Sequence, residues 1–161
     1  LGTYLSYQDR ITLLGLLSRR FNMAFATGKM PEKVRELLPE LKVLPEQEYS
    51  TKMPLLFKSS KVNINPSLRL IKSGIPQRAL DIMGAGSFLL SNYQPELAEC
   101  FSPDEAVMYE SMQDAVEKCQ FYVNHDAERE RIARNGYEKV KNEYSYERQL
   151  SRILEIAGFN K

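Results

Sequence analysis

The chain has 161 residues, 43% of them hydrophobic and 27% charged, a mixture that excludes a disordered chain and suits one compact domain. Its 22 Lys and Arg against 21 Asp and Glu leave a net charge of +1, which offers no global pull toward nucleic acid or an anionic membrane. The single histidine, His125, and the two cysteines, Cys100 and Cys119, argue against a metal site or a disulfide framework and for reduced thiols in a cytoplasmic protein.

Tyr7 to Arg19 places Ile11, Leu14 and Leu17 on one face, which predicts a helix. Its apolar run from Ile11 to Leu17 is less than half of the roughly 20 residues that a membrane span requires. Phe21 to Thr27 alternates like a strand, and Pro31 then opens a short helix carrying Val34, Leu37 and Leu38. Leu41 to Leu44 is a strand candidate, Tyr49 to Ser60 a helix with Pro54 near its start, and Lys61 to Asn65 the next strand. Pro76 opens a helix containing Ala79, Leu80, Ile82 and Met83, which Gly84 and Gly86 stop. Phe88 to Leu90 is a continuous apolar run, as expected of a strand buried on both faces. Pro95 starts a short helix, and Ala106 to Tyr109 forms the last strand. Ser111 and Asp114 resemble a capping box ahead of a stripe formed by Met112, Ala115, Val116, Cys119, Tyr122 and Val123. Helices over Asp126 to Glu143 and Tyr146 to about Ala157 complete the chain, the second capped by Ser145.

Strands alternating with helices predict an α/β fold: a doubly wound, mainly parallel sheet of about five or six strands with helices on both faces. No linker divides residues 1–161, so the expectation is a single domain. Only Leu1 to Tyr4 precede the first helix, so the first strand of such a fold is expected to be very short or to lie mostly upstream. A start at Leu1 rather than Met reads most simply as a fragment of a longer chain. Ligands of these sheets bind beyond the carboxyl ends of the strands, which directs attention to Leu44 to Tyr49, Asn65 to Pro76 and Asn92 to Pro95.

The loop after the Lys61 to Asn65 strand offers Asn65, Ser67, Arg69, Lys72 and Ser73, with backbone N–H groups at Gly74 and Ile75. Turn amides and helix N-termini attract phosphate, and a guanidinium adds bidentate contacts. Asp81 follows one to two turns into the helix, where a carboxylate can accept hydrogen bonds from vicinal hydroxyls.

The run Ser73-Gly-Ile-Pro-Gln-Arg-Ala-Leu-Asp-Ile-Met-Gly-Ala-Gly-Ser-Phe-Leu-Leu-Ser-Asn92, followed by Tyr93-Gln-Pro-Glu-Leu97, resembles the C-terminal half of GT-B-fold glycosyltransferases. It is most similar to the group 1-like family related to spore-maturation proteins. Arg129-Glu-Arg-Ile-Ala-Arg-Asn-Gly-Tyr-Glu-Lys-Val140 and Tyr146-Glu-Arg148 match the ending of that family as well. The resemblance spans about Tyr49 to Leu154.

It implies a donor-binding half-domain that grips a nucleotide-diphosphate sugar without a metal, the acceptor being bound by an N-terminal domain of the same chain. It puts Asp81 at the acidic position that holds the nucleotide ribose, with Arg78 and Arg69 as diphosphate candidates. Relatives place a Glu eight residues before that acid, where this chain has Ser73.

Other readings stand beside these. Asp81 taken alone reads as a helix residue paired with a Lys or Arg, and Arg78 as a solvated charge. Arg129, Arg131 and Arg134 alternate with Glu128 and Glu130 like a solvated helix face, and His125 reads as a capping or surface residue. The function is accordingly nucleotide-sugar-dependent glycosyl transfer, or non-catalytic nucleotide or sugar binding, or an interaction domain on the same fold.

Overall fold

The computed structural model describes residues 7–67 and 74–159. Leu1 to Tyr4, where a short first strand is one of two expectations, lie outside them. The elements follow in the order α1 (Tyr7–Ser18), β1 (Ala24–Ala26), α2 (Glu32–Leu37), β2 (Lys42–Leu44), α3 (Lys52–Ser59), β3 (Asn63–Asn65) and α4 (Gln77–Gly84). Then come β4 (Leu89–Asn92), α5 (Pro95–Cys100), β5 (Val107–Tyr109), α6 (Met112–Asn124), α7 (Asp126–Glu143) and α8 (Tyr146–Ile156).

Every strand pairing among the described residues is parallel. β1 pairs with β2, placing Phe25 opposite Val43, and β3-β4-β5 form a three-stranded sheet in which Ile64 opposes Leu90 and Ser91 opposes Met108. Each pairing joins consecutive strands through one helix, the βαβ unit that parallel pairing requires.

The two faces of β4 show why its sequence is apolar without alternation. Leu90 and Phe88 pack with Leu13 and Leu17 of α1 and with Ala115, Val116 and Cys119 of α6. Leu89 packs on the other side with Phe57 of α3, Ala79, Ile82 and Met83 of α4, and Leu97 of α5. Helices therefore cover both faces, and all of β4 is buried. The fold is an α/β, Rossmann-like half. α7 seals one end, contributing Ile132 and Ala133 to one cluster and Val140 to the other. Leu14, Leu38 and Leu41 form a third, smaller cluster joining α1 to α2 and to the chain entering β2.

The helix starts follow capping chemistry. Ser111 Oγ accepts the Asp114 N–H at 3.1 Å, and the Asp114 carboxylate reaches back to the Glu110 N–H at 2.9 Å, one residue before the usual partner. Ser145 Oγ accepts the Arg148 N–H. Pro31 and Pro76 sit at N-cap positions and Pro95 at the first helical position.

Three expectations need correction. In place of one sheet of five or six strands, the described residues form sheets of two and three, because no backbone pairing joins β1 or β2 to β3-β4-β5 among them. β4 runs to Asn92 rather than stopping at Leu90, because Ser91 and Asn92 are buried and continue the ladder despite their polarity. Arg129 is not part of a solvated face: it is 8% exposed and donates to the Tyr122 carbonyl at 2.7 Å and to Asp126 at 2.6 Å. Its guanidinium thus ties the end of α6 to the start of α7. Arg131 and Arg134 are exposed as expected, Arg131 pairing with Glu128 and Asp104.

α8 has no buried residue, and Tyr146, Leu150, Ile153, Leu154 and Ile156 are all exposed. No helix among the described residues is long and apolar enough to cross a membrane.

Candidate nucleotide site

The carboxyl ends of β3 and β4 carry a buried polar cluster. Asn65 Nδ2 donates to Ser91 Oγ at 3.1 Å and to Ser67 Oγ at 3.3 Å, and Ser91 Oγ donates to the Asn65 carbonyl at 3.1 Å. Asn92 Oδ1 accepts the Ser67 N–H at 2.7 Å. These bonds fix the chain as it leaves β3, as far as Ser67. Buried polar groups are held this way because leaving them unpaired costs about 1–3 kcal/mol each. Gln94, just beyond β4, is also buried, and its Nε2 has no partner among the described residues.

Of the residues predicted from sequence, Asn65, Gly74, Ile75, Arg78 and Asp81 lie among the described residues; Arg69 and Ser73 lie outside them. Asn65 belongs to the buried cluster, where its amide hydrogens serve the scaffold. Gly74 has φ +91, a left-handed conformation that glycine adopts without strain. It delivers Ile75, which packs against the α3–α4–α5 side of the core, and Pro76 at the start of α4. Among the described residues no side chain caps that helix start, which leaves the Gln77 and Arg78 N–H groups with the partial positive charge of a helix N-terminus.

Arg78 and Asp81 occupy the first two turns of α4, three residues apart and hence on neighbouring positions of one face. The Arg78 guanidinium lies 5.9 Å from the Tyr49 ring centroid and 5.7 Å from that of Phe57. Aromatic rings attract a cation without occupying its N–H donors, and among the described residues no carboxylate pairs with Arg78. Asp81 has no cationic partner there either. Its Oδ2 instead accepts the Tyr49 hydroxyl at 2.6 Å, and that same phenol oxygen accepts Gln77 Nε2 at 3.1 Å. The bond to Asp81, followed by partial burial, raises the Tyr49 pKa above its usual value, so the phenol stays a donor.

The sequence reading points to Leu44 to Tyr49 as a stretch beyond a strand end, but gives Glu48, Tyr49 and Gln77 no role of their own. The Glu48 carboxylate accepts the Thr51 hydroxyl and the backbone N–H groups of Thr51 and Ser50, the latter two at 2.7 and 2.9 Å. These bonds, the Thr51 hydroxyl foremost, pull its pKa down to about 2. The turn that presents Tyr49 is thereby fixed ahead of α3. An acid just before Ser50 and Thr51 at a helix start is a signal that could have revealed this turn. His125 lies elsewhere, stacked on Phe121 with ring centroids 3.9 Å apart and Nδ1 2.7 Å from the Phe121 carbonyl oxygen. No group of three or more His, Cys, Asp or Glu that could hold a metal occurs among the described residues.

The parallel β3-β4-β5 sheet covered by helices, with Arg78 and Asp81 on the helix that starts beyond the end of β3, defines a Rossmann-like α/β domain. The family model described as glycosyl transferase-like matches residues 27–155. The chain belongs to that family. Among solved structures it is similar to the C-terminal domain of a glycosyl transferase group 1 family protein, LpcC, from Francisella tularensis. The TM-score is 0.65 at 18% identity, over 86% of this chain and 79% of that one, a likeness of fold. No curated protein matches.

Proposed function

We propose that this chain is the donor-binding half of a glycosyltransferase and that it binds a nucleotide-diphosphate sugar along the first two turns of α4. The observation that supports this is the placement of Arg78 beside Asp81 in the first two turns of α4, where among the described residues Arg78 has aromatic neighbours and no carboxylate partner. In this reading the Asp81 carboxylate accepts the ribose hydroxyls. Arg78 and the helix N-terminus take the diphosphate, Arg69 adds a second cation, and the Ser73–Ile75 amides line the approach. Asn65 anchors Ser67 to Ser91 beneath the site. Diphosphate charge is then offset by guanidinium and helix dipole, with no metal required. The acceptor belongs to an N-terminal domain of the same protein, and the setting is the cytoplasm, where thiols such as Cys100 and Cys119 stay reduced. Within the family the kinship proposed is with group 1-like, spore-maturation relatives.

A thermal-shift panel of UDP, GDP, ADP and their sugars tests the reading. Stabilisation by one nucleotide series supports it, and a flat panel sinks it in favour of an interaction domain. Ser73, standing where relatives carry Glu, favours a second reading, nucleotide binding without turnover. Donor hydrolysis or transfer measured on the full-length protein separates the two.

A further inference from the structure

We propose that Tyr49 is a positioning residue of the nucleotide site: its hydroxyl clamps one oxygen of Asp81 and so sets the preference for a ribose over a sugar lacking its hydroxyls. The inference rests on the nucleotide reading above.

The terminal torsion of an aspartate is broad, so a free carboxylate presents its two oxygens over a wide arc. A vicinal diol needs them in one plane and one direction. Tyr49 supplies the restraint, since its 2.6 Å bond to Oδ2 has the length of a charge-assisted O–H···O⁻ bond. Among the described residues it is the only group hydrogen-bonded to that carboxylate. Oδ1 and the second lone pair of Oδ2 remain for ligand hydroxyls.

The clamp is itself held from three directions. Gln77 Nε2 donates to the phenol oxygen, which orients its proton toward Asp81. The Arg78 guanidinium lies over the ring. The Glu48 carboxylate fixes the turn behind it. Tyr49 is nevertheless 49% exposed, so burial does not account for this many ties. They converge on the Tyr49 hydroxyl, which is bonded to the Asp81 carboxylate.

Tyr49→Phe tests the proposal, because it removes the hydroxyl and keeps the ring beneath Arg78. Affinities of wild type, Tyr49→Phe and Asp81→Ala are measured calorimetrically for UDP, GDP and ADP, each against its 2′,3′-dideoxy counterpart, with melting temperatures alongside. In Tyr49→Phe the bound ribonucleotide should weaken roughly three- to tenfold, the worth of one positioned hydrogen bond. The dideoxy form should keep its affinity, and the melting temperature should hold. A merely structural strut would weaken both ligands alike and lower the melting temperature. An unchanged ribo-to-dideoxy ratio in Tyr49→Phe, with the ratio lost in Asp81→Ala, overturns the role of Tyr49 and spares the nucleotide reading. Absence of nucleotide binding or of any ribo preference in the wild type overturns both.

Discussion

Gly136 of α7 lies against the Glu105 carbonyl so closely that a Cβ there would sit 2.5 Å from the oxygen, with Met83 Sδ of α4 at 3.3 Å. α7 can therefore seal the α4 side of the core only at a residue without a side chain. The carbonyl belongs to the chain entering β5, which cannot move without disturbing the sheet. Gly136→Ala should cost about 1–3 kcal/mol through overpacking, a fall in Tm of roughly 2–12 °C. Thermal unfolding checks this. An unchanged Tm would mean that α7 can shift away from β5 at no cost.

The cap of α6 makes a second, smaller expectation. Ser111 Oγ satisfies the Asp114 N–H, and Ser111→Ala leaves that donor to water at a cost of about 1 kcal/mol. Ser111→Gly should cost only a few tenths, since glycine tolerates the cap conformation. Urea midpoints of the two variants measured together test the order, and equal losses would show that the hydroxyl is not the stabilising group.

Asp81→Ala should weaken nucleotide binding by roughly one to two orders of magnitude, the loss of charge-assisted bonds to two hydroxyls. Asp81 is half-buried and its partner is a phenol rather than a cation, so its removal breaks no ion pair among the described residues. Tm should change little. Calorimetric titration and a melting curve on the same variant decide the matter: intact affinity with a destabilised fold would place the ligand elsewhere.

Periodicity made most elements legible, because apolar spacing reports which face a residue buries. It failed where burial and polarity diverge. Ser91 and Asn92 look like loop residues but are buried, their polar groups taken up by Asn65 and Ser67. Arg129 reads as solvated, yet its guanidinium is spent on a carbonyl and a carboxylate within seven residues. Asp81 and Arg78 stand within one motif of the sequence, whereas Tyr49 lies 32 residues from Asp81. Neither composition nor spacing encodes that contact; only the packing of α3 against α4 creates it.

Cys119 predicts alkaline behaviour. Burial within the α1–α6 cluster pushes its thiol up to about 11, above roughly 8.5 for an unfolded cysteine. The folded state then keeps a proton that the unfolded state releases. Stability from this group is present below about pH 8.5 and declines as pH rises through 11. In a Cys100→Ser background, Cys119 should resist a thiol reagent at pH 8 until the protein unfolds. Reaction as fast as that of a free thiol would refute its burial.

Glu48 behaves in the opposite sense. Its carboxylate, held by the Thr51 hydroxyl and by the Ser50 and Thr51 amides, has its pKa lowered to about 2, against an ordinary value near 4.3 in an unfolded chain. The folded state therefore stays ionised where the unfolded state takes up a proton. Its contribution is present above about pH 4.3 and is lost as pH falls through 2. Because this turn presents Tyr49 to Asp81, Glu48→Gln should loosen the start of α3 already at neutral pH. Amide exchange at Ser50 and Thr51 should then rise to the rate of open chain, while amides of β4 keep their protection. Protection at Ser50 and Thr51 that survives both the substitution and titration to pH 2 would show that the turn is held by the backbone bonds from Lys52 and Met53 to the Glu48 carbonyl instead.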